Sequence, residues 1–333
     1  MAAQQGEVVT LRDVAAAAGV SIATVSRVLD GKSAGSSHVE RIRAIADELG
    51  YRRNNSASAL RRGETGTIGV LVPRLSDAVM ALMFEAIAAA AARRGQFAIV
   101  ATSGDEPDGE RLAAETLLAR GIDALLVASA RIDDPLTTAL RERGVRHALV
   151  LRTDGTSPSS IGDDETGGYL AARHLLDLGH RDIALVTGPL FTSSARDRMA
   201  GAHRALGEAR VTPLVAETDD YRIPSGERAA ATWLEGSRRP TAVFAANDDL
   251  AFGVLAACHR AGREVGRDFA LVGYNDVPMA ARMPVPLTSV RTNFEQIANS
   301  AFELLDGESQ SGARVAMPTL MPRASSIRAH FWA

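Results

Sequence analysis

The segment GVSIATVSRVLDG, residues 19–31, brings hydroxyl, methyl and guanidinium groups together at the start of a short predicted helix. On a helix beginning at Ser21, residues three and four apart lie above one another. One face is then apolar and can pack against neighbours: Val25, Val28 and Leu29. The other face mixes polar and apolar groups and is suited to contact: Ile22, Ala23, Ser26 and Arg27.

This second face has the chemistry to read DNA. A helix fits the ~12 Å wide major groove, where its first turn meets the base edges. Ser21 and Thr24 suit phosphate oxygens. Ile22 and Ala23 are suited to read the shape of the groove and to contact thymine methyl groups, and Arg27 can form a bidentate hydrogen bond with a guanine. Judged from residue spacing alone, the alternative is that this face does not bind DNA and is only the solvated face of a small helix whose other face packs.

Three short helices are predicted to position this face. Thr10 followed by Asp13 is a capping pattern that begins the first helix, and Gly19 ends it. The second helix follows after a brief turn. Ser37 caps a third helix, which Gly50 terminates. Two short helices joined by a tight turn and braced by a third are typical of a helix-turn-helix domain.

Composition and charge narrow the class of protein. With 333 residues, 46% of them hydrophobic, the chain can bury sizeable cores. Its first 65 residues carry nine Lys and Arg against seven Asp and Glu, although the whole chain has a net charge of −3. No basic signal segment opens the sequence, and the longest apolar run, residues 86–92, is too short to cross a bilayer. We therefore expect a cytoplasmic protein with no membrane partner.

No group of residues indicates catalysis or a metal site. Cys258 is the single cysteine, and neither CxxC nor HExxH occurs. Residues 31–35, GKSAG, partly match a phosphate loop and a nucleophile elbow. The first motif needs a glycine where Ser26 stands, and the second needs a preceding strand where a helix is predicted. We expect no catalytic residue, no metal ligand and no cofactor.

From Thr67 onward, apolar strand-like runs alternate with helical segments near 77–94, 107–120, 135–143, 166–178, 195–207, 226–236 and 248–261. This alternation predicts parallel sheets with helices on both faces, in two successive α/β units. No GxGxxG opens the first unit, which argues against a dinucleotide enzyme. Ligands of such sheets bind outside the carboxyl ends of the strands, where Pro73, Asn247 and Asn275 lie.

Two N-terminal segments, VTLRDVAAAAGVSIATVSRVLDG and ELGYRRNNSASALRRGETGTIGVLVP, together resemble the lactose/galactose repressor (LacI/GalR) family of bacterial transcription regulators. The resemblance continues through LGHRDIALVTGP, ARDRMAG, TAVFAANDDLAFG, VGYND, PLTSV and PRASS, and so covers nearly the whole chain. It implies a small all-α helix-turn-helix domain plus an α/β periplasmic-binding-protein-like core of two Rossmann-like lobes.

The resemblance also implies domain boundaries. Residues 1–53 would form the helix-turn-helix domain, 54–65 a hinge helix and linker, and 66–333 the effector-binding and dimerisation core. Lobe 1 would take about 66–163 and 292–322, and lobe 2 about 164–291 and 323–333. The chain would cross between lobes near Asp163, near Ser289 to Thr292, and near Arg323.

In this family the hinge helix pairs with its dimer mate in the minor groove, where Leu60 would act as an apolar wedge between base steps. Asn54 can cap that helix, and Ala57 lies within it. The expected DNA-contacting set is Thr10, Ser21, Ile22, Ala23, Thr24, Ser26, Arg27, Asn54, Ala57 and Leu60.

The positions of the core that match the family are Arg198, Asn247, Asp248 and Asn275. The expected effector-binding set is Pro73, Asp163, Arg198, Tyr221, Asn247 and Asn275. Arg198 and Asn247 can fix a hydroxyl-rich or anionic ligand, and Tyr221 can supply a stacking wall. Surface or loop-anchoring roles are the alternatives for Arg198 and Tyr221. Asn275 departs from the aspartate usual in sugar-binding members, which argues against an ordinary pyranose and for an acidic or amphiphilic small molecule.

The sequence therefore predicts a homodimeric, operator-binding transcriptional regulator, a repressor, controlled allosterically by a sugar, sugar acid or related metabolite. A two-fold dimer predicts a pseudo-palindromic operator. The sequence ends without a heptad repeat, so no coiled-coil tetramer is expected. The rival interpretations are a solute-binding receptor without DNA-directed regulation, which would need an export signal, and a sugar-metabolising enzyme, for which no catalytic set is identifiable.

Overall fold

The computed structural model describes residues 9–29, 37–51, 64–104, 106–236, 239–307 and 312–327. The chain divides into two units, Met1–Thr65 and Gly66–Ala333. None of the described helices is long and apolar enough to cross a membrane.

The first unit contains the three predicted helices, α1 (Leu11–Ala18), α2 (Ile22–Leu29) and α3 (Ser37–Glu48). The predicted cap of α1 is present, because the Asp13 carboxylate accepts from the Thr10 amide and hydroxyl, both at 2.7 Å. These hydrogen bonds lower the pKa of Asp13. Gly19 ends α1 in the left-handed region at φ 67°, a conformation that glycine adopts without strain. The unit has its own small core of Val14, Ala15, Ala18, Val25, Val28, Val39, Ile42 and Ala46.

The second unit is built from strands and helices in alternation. In chain order they are β1 (Thr67–Val72), α4 (Ala78–Arg93), β2 (Phe97–Thr102), α5 (Pro107–Ala119), β3 (Ala124–Val127), α6 (Pro135–Glu142), β4 (His147–Val150), β5 (Ser159–Gly162), α7 (Asp164–Asp177), β6 (Ile183–Val186), α8 (Ser193–Glu208), β7 (Leu214–Ala216), α9 (Ile223–Leu234), β8 (Ala242–Ala245), α10 (Asp248–Arg260), β9 (Ala270–Asn275), β10 (Thr288–Arg291), α11 (Phe294–Leu305), β11 (Ala313–Ala316) and β12 (Thr319–Met321). The apolar runs of the central strands are buried, as parallel strands covered on both faces require.

These strands form two six-stranded sheets. The first has the order β11-β5-β4-β3-β1-β2 and is parallel throughout. The second has the order β12-β10-β9-β8-β6-β7 and is parallel except for the edge pair of β10 and β12. The predicted fold class, a helical domain followed by two α/β lobes, is confirmed.

The chain crosses between the sheets three times, after β5, after β10 and after β11. The first crossing lies between β5 and α7, at Asp163, and the second lies between β10 and α11. The third lies earlier than the expected position near Arg323, because Thr319–Met321 already pairs antiparallel with β10 in the second sheet. The segment 319–322 therefore belongs with the second sheet, and the lobe boundary at 322 is corrected to lie between Ala316 and Thr319.

Candidate functional site

The two faces of α2 differ sharply in exposure. Val25 and Val28 are buried in the core of the first unit, and Leu29 packs against that core. On the other side Ser21, Ile22, Ala23 and Arg27 are exposed, and Thr24 and Ser26 are half-buried. Ile22 keeps 40% of its surface exposed although it is a large aliphatic residue. The exposed face of α2 thus offers an apolar patch beside a guanidinium, which is a combination suited to base edges.

Two hydrogen-bonded features hold the start of α2 and the end of α1 in place. The Ser21 hydroxyl caps the helix by accepting from the Thr24 amide at 3.1 Å, and it also bonds the Thr24 hydroxyl at 2.9 Å. Arg41 of α3 donates to the Ala18 carbonyl at 2.7 Å, so the third helix braces the end of the first. Among the other expected DNA contacts, Thr10 caps α1, whereas Asn54, Ala57 and Leu60 lie outside the described residues.

The second unit contains two adjoining cavities at the carboxyl ends of its strands. The larger has a volume of about 520 Å³, part of it open to solvent, and the smaller about 340 Å³. Asp77, Arg152 and Tyr221 line both, so the two form one cleft. Four expected effector residues line the smaller cavity: Arg198, Tyr221, Asn247 and Asn275. Tyr221 also lines the larger cavity, as does Pro73.

Arg198 of α8 is buried and already paired. Its Nε donates to the Asp164 carboxylate at 2.8 Å and its Nη1 to the Ala246 carbonyl at 2.7 Å. The guanidinium also lies 3.7 Å from the centre of the Tyr274 ring, within cation–π range. Burial disfavours the charge, but the Asp164 carboxylate outweighs this effect and raises the pKa of Arg198. The side chain is therefore a fixed cation in the wall of the cleft.

Tyr221 and Asn247 are held together on the second-sheet side of the cleft. The Tyr221 hydroxyl shares hydrogen bonds of 3.1 Å with both Thr192 and Ser194. The Asn247 amide donates to the Tyr221 carbonyl at 3.1 Å, and its oxygen caps α10 by accepting from the Leu250 amide. A side chain at Gly188 would collide with the Tyr221 ring, so the strand end must be glycine for the ring to lie there.

Asn275 ends β9 with a positive φ of 93°. Its amide donates to the Thr292 hydroxyl at 3.0 Å. The following turn is held by Asp248, whose carboxylate accepts from the Val277 amide at 2.8 Å and from the Ser289 hydroxyl at 2.6 Å. Burial raises the pKa of Asp248 to about 7.

The structure does not bring Asp163 to the cleft. Its carboxylate caps α7 by accepting from the Thr166 amide at 2.9 Å and the Thr166 hydroxyl at 2.8 Å. It lines neither cavity. The neighbouring carboxylate, Asp164, is the one that reaches Arg198.

Sequence reasoning missed several cleft residues: Arg74, Asp77, Glu110, Ser129, Arg131, Arg152, Phe191 and Ser194. Arg152 and Ser129 lie just beyond the apolar runs of β4 and β3. A polar side chain at the carboxyl end of a buried parallel strand is the signal by which both residues can be found. Across this cleft the Ile132 amide donates to the Phe191 carbonyl at 3.0 Å, and the Arg131 guanidinium lies 4.2 Å from the centre of the Phe191 ring.

Two family models match the chain. The model described as bacterial regulatory proteins, lacI family, matches residues 10–54. The model described as periplasmic binding protein-like domain matches residues 172–326.

Curated relatives match along most of their length. The HTH-type transcriptional repressor PurR of Vibrio atlanticus is 31% identical over 307 residues, covering 89% of this chain and 90% of the relative. The lactose operon repressor of Escherichia coli is 32% identical over 330 residues, covering 96% of this chain and 91% of the relative.

Solved structures agree with these matches. The lac repressor dimer bound to operator and the anti-inducer ONPF has a TM-score of 0.86 at 29% identity, covering 96% of this chain and all of that chain. The transcriptional regulator CelR in complex with cellobiose has a TM-score of 0.73, also at 29% identity and with the same coverage. The chain belongs to the lacI family of bacterial regulatory proteins and is a DNA-binding transcription regulator under effector control.

Proposed function

We propose that this protein represses transcription by binding a pseudo-palindromic operator as a homodimer. In this proposal α2 enters the major groove, with Ile22, Ala23 and Arg27 against the base edges and Ser21 and Thr24 near phosphates. The observation that carries the proposal is the exposure of this face, because Ile22 and Arg27 are exposed and neither belongs to the core of their unit. Such a regulator acts where bacterial DNA lies, in the cytoplasm.

We further propose that a sugar, sugar acid or related metabolite binds the cleft. Arg198, Asn247 and Asn275 would fix its polar groups, and Tyr221 would form an apolar wall. The lobes meet around this ligand, so a ligand that binds one lobe arrangement more tightly shifts the protein towards that arrangement. Ligand binding then changes operator affinity, and operator binding changes ligand affinity by the same coupling free energy. The repressor names of the relatives support the sign of regulation.

The test begins with genomic fragments selected on the purified full-length protein, followed by footprinting of the enriched site. Arg27→Ala should weaken specific binding by about 1–3 kcal/mol and relax base preference within each half-site. Arg43→Ala is the matched control, because Arg43 is an exposed arginine of α3, outside the proposed reading face. The control should keep full specificity.

Two outcomes would contradict the proposal. One is equal, salt-sensitive affinity for every duplex, since counterion release alone carries no sequence information. The other is a base preference that is the same in the Arg27→Ala and wild-type proteins.

A further inference from the structure

Arg152 is a buried cation without an anionic partner. It follows β4, lines both cavities and is 8% exposed. Its guanidinium makes one long hydrogen bond, from Nη1 to the Ser129 carbonyl at 3.4 Å, and lies 5.7 Å from the centre of the Tyr221 ring. Among the described residues it forms no ion pair. Arg198, by contrast, is 6% exposed and forms an ion pair with Asp164.

Carboxylates near Arg152 do not neutralise it through contact. Asp77 and Glu110 are close enough to favour its charge, but burial dominates and lowers the pKa of Arg152. An arginine starts from a pKa above 12, so it keeps its charge at neutral pH. The Asp77 carboxylate is engaged at the start of α4, where it accepts from the Val79 amide at 2.9 Å. A buried charge held this way is costly unless a ligand completes it.

Two further buried polar groups, the neighbouring side chains of Glu110 and Ser129, line the larger cavity. Neither Glu110 Oε1 nor Ser129 Oγ has a hydrogen-bond partner of good geometry. Glu110 is 4% exposed, and burial raises its pKa to about 7, with Ser129 and Arg131 opposing the shift and Asp134 adding to it. Near neutral pH this carboxyl is therefore protonated in a large fraction of molecules and can then donate a hydrogen bond.

We propose that the effector carries an oxyanion, a carboxylate or a phosphate, which binds the Arg152 guanidinium and the Ser129 hydroxyl in the larger cavity, beside the Glu110 carboxyl. A guanidinium matches the paired oxygens of either group, because its N–H donors form a planar fork. This inference rests on the proposed function, since it names the chemical class of the effector for the same cleft.

The probes are inorganic phosphate, sulfate and acetate, each compared with chloride at equal ionic strength on the full-length protein. We expect phosphate and sulfate to raise the melting temperature of the second unit by about 2 °C or more. Arg152→Gln should abolish this rise. The same variant should melt at the wild-type temperature or above it in chloride, because it removes an uncompensated buried charge. If Arg152 had a purely structural role, Arg152→Gln would instead lower the melting temperature of the protein in chloride.

A second arm uses sulfate, whose charge is constant between about pH 6 and about pH 8. Sulfate binding should weaken as pH rises through about 7 in the wild-type protein, because ionised Glu110 repels the anion. The other charged groups around Glu110 or in the same cavity are Arg74, Asp77, Arg131, Asp134, Arg152, Asp219 and Asp220. Glu110→Gln keeps a donor and cannot ionise, so its response to sulfate should be independent of pH.

The inference is overturned if none of the three anions raises the melting temperature above chloride, or if Arg152→Gln responds as the wild type does. Arg120→Gln, at an exposed arginine that follows α5, controls for general salt effects. Operator binding is measured on the same preparations. Specific DNA binding without an anion response contradicts only this inference, whereas a wild-type protein that shows no sequence preference contradicts the proposed function.

Once the anion response is established, organic probes separate the two sources of the oxyanion. Gluconate and glucose 6-phosphate are each compared with glucose. Stronger stabilisation by gluconate assigns a carboxylate, and stronger stabilisation by glucose 6-phosphate assigns a phosphate. Glucose acting as strongly as both would overturn the inference.

Discussion

At the scale of single residues, the pair of Asp164 and Arg198 is the charge interaction on which the cleft depends. Both side chains are almost fully buried and their ion pair is 2.8 Å long. Asp164→Asn should therefore lower the free energy of unfolding by about 3 kcal/mol, because it leaves a buried guanidinium without its counter-charge. Urea denaturation of the second unit measures the change.

The adjacent residue provides the control. Glu165 pairs with Arg204 at the same 2.8 Å, but about half of each side chain is exposed. Glu165→Gln should change the free energy of unfolding by less than about 1 kcal/mol, since solvent screens such a pair. Equal effects of the two substitutions would show that burial of the Asp164 pair has no energetic consequence.

Glu110 gives a pH dependence of stability whose sign follows from its environment. Its pKa in the folded protein is about 7, above the value of an unfolded glutamate, so the folded state binds the proton more tightly. Its contribution is therefore fully favourable at low pH and is lost as pH rises towards about 7. Between pH 5 and pH 8, Glu110→Gln should gain roughly 2 kcal/mol of unfolding free energy relative to wild type.

The matched control for this comparison is Asp108→Asn on the same helix, because the Asp108 side chain is almost fully exposed. Its difference from wild type should change far less over the same pH range. A Glu110→Gln difference that is constant with pH would contradict the assigned burial effect.

At the scale of elements, α7 and α8 cross so closely that glycine is required at the contact. A Cβ at Gly201 would collide with the Glu165 carbonyl oxygen and lie 2.7 Å from the Tyr169 amide nitrogen. Gly201→Ala should cost about 2–3 kcal/mol of unfolding free energy, since the two helices must separate. Gly207, on the same helix, has open space around its Cβ position.

Gly207→Ala should therefore be neutral or stabilising by up to about 1 kcal/mol, because alanine favours the helix. If Gly201→Ala lowers the unfolding free energy and Gly207→Ala does not, the effect of packing is distinguished from that of intrinsic helix propensity. Chemical denaturation of both variants measures this, and a loss of stability at Gly207 as large as at Gly201 would contradict the packing argument.

Elements with strong local signals could be predicted from the sequence. The capping pattern of Thr10 and Asp13, the glycine that ends α1, and the long apolar strands all appear as expected. The short strands β5, β11 and β12 could not, because their sequences, SSIG, ARVA and TLM, contain no long apolar run. The third crossover, which the family resemblance implies near Arg323, lies before β12 instead.

The cleft was predictable in position but not in detail. Strand ends located Pro73, Asn247 and Asn275, but Asp163 was expected to face the ligand and instead caps α7. Adjacent residues at a helix start point in different directions, so sequence spacing does not decide which carboxylate reaches Arg198. The isolation of Arg152 depends on which groups surround it in three dimensions, and no local pattern encodes that.

At the scale of the whole molecule, the proposed dimer makes the spacing of its two operator half-sites a geometric requirement. In the proposal each α2 reads one half-site, and a two-fold dimer holds the two helices about one helical turn of DNA apart, or a multiple of it. Randomising one half-site should weaken binding by at least about 100-fold, because only one helix then binds specifically and the gain from two linked contacts is lost. Footprinting and equilibrium titration of the wild-type protein measure this.

Inserting about five base pairs between intact half-sites is the sharper test, because it rotates one half-site by roughly half a turn to the opposite face of the duplex. Both half-site sequences remain, so the proposed base readout by Ile22 and Arg27 is unchanged and only the geometry is lost. Affinity should fall to that of a single half-site and recover in part when the insertion is extended to about ten base pairs. Full affinity at the five-base-pair insertion would mean that the two reading helices act independently, and the rigid two-fold arrangement would be refuted.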